Sequence, residues 1–68
     1  MTAVLTRTPA AAVQAGDRLD AVAGERPLVT RVTRGANRQI YIATVTAGGA
    51  PVVVERDPGE PVSVWRER

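Results

Sequence analysis

Nine arginines, one tyrosine and one tryptophan are the side chains of this sequence best equipped for recognition chemistry. A guanidinium presents a planar fork of donors that matches phosphate or carboxylate oxygens two at a time. Arg26, Arg31, Arg34 and Arg38 fall within residues 26–54, a stretch without a single acid. All seven acids lie outside it, so a formal net charge of only +2 hides a strongly basic middle. Arg31, Arg34, Arg38 and Tyr41 therefore form a candidate nucleic-acid-binding set. The arginines would reach phosphate oxygens, and an outward tyrosine would stack on a base. The alternative is a solvated arginine surface that keeps a sticky sheet soluble. Arginine is the sole basic residue type, a bias that GC-rich codons also explain.

Trp65, with Arg66 beside it, forms a candidate partner-contact pair, because tryptophan is over-represented among interface hot spots. The alternative for Trp65 is cover for one open end of the core.

Catalytic chemistry has little to draw on. Cysteine and histidine are absent, which removes thiolates and the commonest general base and metal ligand. Ser63 is the only serine and has no conventional base; without lysine there is no phosphate-binding Gly-Lys loop. Asp17, Asp20, Glu25, Glu55, Asp57, Glu60 and Glu67 read as solvated residues of turns and strand ends. The expectation is a non-enzymatic module with no cofactor, no metal and no small-molecule substrate. Its expected partners are nucleic acid, or else a protein or a second copy of itself. A phage or bacterial accessory protein would belong to that second class.

These residues need elements to hold them. In 68 residues there is room for one domain, 1–68. Residues 1–8 read as a tail or a short edge strand. Thr8-Pro9 resembles a helix N-cap, Ala10 to Ala15 favours helix, and Gly16 stops it. Residues 1–15 are thus an N-terminal segment with a short helical turn. Beyond Gly16 the period changes. Residues 18–22, 28–34, 39–46, 50–55 and 61–66 read as five strands with short turns between them, an antiparallel meander. Leu19, Val32, Ile40, Ile42, Val53, Val62 and Val64 are its expected core, joined by Val29 and Val45. Val13 and Leu5 are expected to cap one end.

Gly16-Asp17-Arg18-Leu19, four further short strands, a Gly48-Gly49 hairpin and a Pro58-Gly59 turn before the last strand resemble an SH3-like small barrel. The resemblance covers residues 16–66 and implies a mostly β, five-stranded antiparallel barrel. Such barrels serve in peptide-binding adaptors, ribosomal proteins, transcription factors and phage components, so the architecture alone implies no function. No apolar run approaches the roughly 20 residues of a membrane span, and residues 1–5 make no secretory signal. The expected location is cytoplasmic, away from membranes.

Overall fold

The computed structural model describes residues 2–20 and 25–67. Six strands form one antiparallel sheet: β1 (Ala3–Pro9), β2 (Arg18–Leu19), β3 (Leu28–Arg34), β4 (Ile40–Val45), β5 (Pro51–Arg56) and β6 (Pro61–Glu67). Their order is β1-β6-β2-β3-β4-β5. Among the described residues no ladder joins β5 to β1, so the sheet is open.

The mostly β class matches the expectation, but among the described residues the strand count is six and not five. The additional strand is residues 3–9, which pair along their whole length with β6, from Ala3 opposite Glu67 to Pro9 opposite Pro61. That pairing also corrects the helix. Pro9 is extended at ψ 148°, no side chain caps the turn, and only Ala10–Ala12 form a 310 turn. Six alanine-rich residues cannot bear the cost of helix nucleation alone, and the β1–β6 ladder holds Thr8 and Pro9, the expected N-cap and first helical residue, in an extended strand. The 310 turn docks on the β5–β6 connection, where Ala10 N donates to Glu60 O at 2.9 Å and Ala11 N to Pro58 O at 3.1 Å. Of the first expected strand, Arg18–Leu19 is extended and Asp20 is a bend; Ala21 and Val22 lie outside the described residues.

Ala10, Val13, Leu19, Val29, Ile40, Ile42 and Val64 are the buried core, with Val32, Val54 and Val62 packed against them. Two expectations are displaced, Val53 as a core residue and Leu5 as the cap of one end. Val53 is 62% exposed and Leu5 is 49% exposed. The register explains Val53: Ile42 lies opposite Val54 and Ala43 opposite Val53, so Val54 shares the face of Ile42 and Val53 the reverse face. Val45 is half-buried. A bulge between Val29 and Arg31 sets the phase of β3. It lets Val29 and Val32 both point inward although they are three residues apart, which strict alternation forbids.

Candidate functional site

The β3–β4 hairpin carries the basic stretch. Its turn closes with Gly35 N donating to Gln39 O at 2.8 Å and Arg38 N to Gly35 O at 3.2 Å. The β4–β5 turn has the same pattern: Thr46 N donates to Ala50 O and Gly49 N to Thr46 O, both at 2.9 Å. The fourth residue of such a turn takes positive φ. In β4–β5 it is Gly49, φ 85°; in β3–β4 it is Arg38, φ 65°. Gly35 and Asn37, the residues of this turn most tolerant of that conformation, do not adopt it, and Arg38 alone among the described non-glycine residues does. A left-handed side-chain-bearing residue costs about 1–2 kcal/mol. Arg38→Gly should therefore raise stability in urea unfolding by about 0.5–1 kcal/mol, the relief being partly offset by glycine's freedom in the unfolded chain.

Gly35 serves another purpose. A Cβ there would collide with Cε2 of Tyr41, so the bare backbone gives the ring a place to lie. Tyr41 faces outward, opposite Thr33 and Glu55, and is half-buried. The Glu55 carboxylate on the facing strand pushes the Tyr41 phenol above its ordinary pKa. The ring is thus braced along the hairpin.

The four hairpin candidates do not share one face. Arg31 pairs with Ala43 on the face of Tyr41, while Arg34 pairs with Ile40 on the opposite face and Arg38 stands at the tip. The three arginines do share one property. Among the described residues, Arg31, Arg34 and Arg38 make no hydrogen bond or ion pair through their guanidinium groups. Arginines elsewhere are engaged. Arg18 donates to Arg26 O at 3.2 Å. Arg26 lies 4.0 Å from Asp20, Arg56 lies 3.3 Å from Glu60, and Arg66 lies 2.7 Å from Asp17. Arg7 on β1 is the remaining described arginine without such a partner.

Trp65 and Arg66 point to opposite faces of β6. Trp65 lies opposite Leu5 and Arg18, its Nε1 donates to Asp20 Oδ1 at 3.1 Å, and the Arg26 guanidinium stacks 4.3 Å from its ring centroid. That stack is a cation–π contact steadied by a shared carboxylate. Arg66 turns to Asp17 instead. Its Nε donates to Oδ1 at 2.9 Å and its Nη2 to Oδ2 at 2.7 Å, a bidentate fork. Nη2 also reaches Ala12 O at 3.3 Å. Asp17 Oδ2 accepts Gln14 N at 2.9 Å, so the carboxylate closes its own turn. The Arg66 hydrogen bonds hold the Asp17 carboxyl below its ordinary pKa against the opposing cost of burial. Asp17 is therefore a buried structural acid and not a solvated turn residue. Its partner lies 49 positions away, beyond the reach of any local pattern.

A cleft of about 290 Å³ opens between β5 and the β2–β6 pair. Leu19, Val54 and Val62 supply its apolar lining, with Asp20, Arg56 and Ser63 among its polar groups. Its volume is at the lower limit for small-molecule pockets. Among the described residues, no three acids, histidines or cysteines gather where they could hold a metal, and no helix is long and apolar enough to cross a membrane. No protein-family model, curated protein or solved structure matches this chain, so the side chains just described are the basis for reading its function.

Proposed function

We propose that this protein is a non-enzymatic binding module whose β3–β4 hairpin contacts the phosphate backbone of nucleic acid. The observation that carries this reading is the division of its arginines. Those outside the hairpin are mostly tied to acids or carbonyls, whereas Arg31, Arg34 and Arg38 keep all their donors free in a stretch that lacks acids. Arg38 adds weight, because it occupies a left-handed position that glycine fills in the sister turn. Backbone strain of this kind collects at functional positions. Cations on both faces and at the tip suit a narrow β-ribbon entering a groove between phosphates better than a flat contact. Tyr41 braces the ribbon, and base stacking is not needed for the reading. The run β6-β2-β3-β4-β5 is best read as an SH3-like small barrel left open at one seam, with β1 added outside β6.

Fluorescence anisotropy with a labelled mixed-sequence duplex tests the proposal. Three phosphate contacts predict a slope near −2.7 for log affinity against log salt, or about a 40-fold loss between roughly 50 and 200 mM. Arg34→Glu with Arg38→Glu should abolish binding while leaving unfolding stability within about 0.5 kcal/mol, as for unpaired surface groups. Binding that ignores both salt and this double change would overturn the proposal. Self-association through the β1 edge is a second reading, favoured by a different observation developed next.

A further inference from the structure

The two edges of the sheet differ in what they leave open. On β5, Thr46 N bonding Ala50 O fixes which residues pair inward, so Pro51, Val53 and Glu55 turn their backbone groups outward. Pro51 has no N–H, and the Glu55 carbonyl already accepts Arg56 Nη1 at 2.7 Å. Only Val53 offers both groups, so this edge is blunted as protected edges are.

The β1 edge is blunted only at Pro9, its last residue. Pro9 lies opposite Pro61, and a pair without N–H groups cannot be a hydrogen-bonded pair. Thr8, Thr6 and Val4 then pair inward with Val62, Val64 and Arg66. Ala10 N bonding Glu60 O agrees with that phase, as does Ser63 O accepting Asp20 N on the far side of β6. Ala3, Leu5 and Arg7 thus turn N–H and C=O to the open edge. Val4 and Leu5, 40% and 49% exposed, stand along the same strand.

We infer that β1 pairs antiparallel with β1 of a second copy of this chain, around a two-fold axis at Leu5. Leu5 meets the partner's Leu5, and Ala3 meets the partner's Arg7, each pair exchanging two backbone hydrogen bonds. Charge selects this register. Ala3 lies beside Glu67 within one copy. Arg7 therefore faces the partner's Ala3, and beyond that small side chain the partner's Glu67. An arginine and a glutamate span two strand spacings of about 4.8 Å each. Arg7, without an acid partner among the described residues, gains one twice over by symmetry. The two Leu5 side chains extend the row that each Trp65 begins, covering apolar surface that the single copy exposes.

Sedimentation equilibrium without nucleic acid tests this. The expected mass is twice 7.2 kDa at high protein concentration, falling on dilution. Leu5→Pro removes an edge-directed N–H without breaking an intramolecular backbone hydrogen bond and should leave a folded monomer, judged by far-UV circular dichroism. Should that variant fail to fold, the charge pair decides. Arg7→Glu or Glu67→Arg alone should weaken the dimer about tenfold, and the two together should restore it. A monomer at every concentration overturns the inference. So does a dimer that survives Leu5→Pro, or single charge changes that the double change does not rescue.

Discussion

Asp17→Ala is expected to destabilise the protein by about 3 kcal/mol in urea unfolding. The change leaves a partly buried Arg66 without its fork and the Gln14 N–H without an acceptor. Removing one partner of a buried pair typically costs 3–5 kcal/mol, and the lower end applies because the Arg66 side chain keeps 26% of its exposure. Arg66→Ala should cost a similar amount, and the double variant little more than either, because both remove one shared contact. Acid titration gives a second readout. The folded pKa of Asp17 is lowered, so the pair contributes fully above the unfolded value of about 3.9 and is lost as pH falls through the lower folded value. Asp17→Asn should flatten that acid limb. An equally steep loss of stability below pH 4 in the variant would show that other carboxylates govern it.

Ile42→Ala should cost about 3–4 kcal/mol, as large-to-small changes at filled core positions do. Ile42 has no exposed surface and lies between Val32 on β3 and Val54 on β5. A domain of this size has roughly 3–10 kcal/mol of stability in all, so the variant should be largely unfolded by modest urea. Ile42→Val should cost only about 1 kcal/mol. Val53→Ala, on the exposed reverse face, should stay within about 0.5 kcal/mol. A costly Val53→Ala would mean that β5 is one residue out of register.

The comparison of Val53 with Val54 shows where sequence reading succeeds and where it stops. The strands expected at 28–34, 39–46, 50–55 and 61–66 from β-branched content, alternation and turn residues fall within a residue of those found at 28–34, 40–45, 51–56 and 61–67. The phase of Val52-Val53-Val54 was not legible, because three identical residues carry no alternation. The bulge after Val29 likewise has no local mark. Thr8-Pro9 followed by alanines satisfies every local helix signal, and a ladder formed with residues 61–67 overrides it. In the candidate site, the charge segregation of Arg31, Arg34 and Arg38 was visible at once. Their freedom from intramolecular partners was not, since it depends on which acids fold beside which arginines. Asp17 and Arg66 belong together only because β6 enters beside β2.

That placement of β6 also governs time. β3, β4 and β5 are joined by tight turns and can zip together on microsecond scales. β6 has a different task, for it must find β2 and β1, more than 40 residues upstream, and settle between them. Closing a loop that long costs entropy before any ladder repays it. The meander is therefore expected to form early and β6 to arrive late, an order that amide protection appearing in β4 before β6 during refolding would verify. While β6 is awaited, the inner face of the meander, including Ile40 and Ile42, remains open to water. That wait is then also the interval in which a newly made chain is most exposed to misassociation.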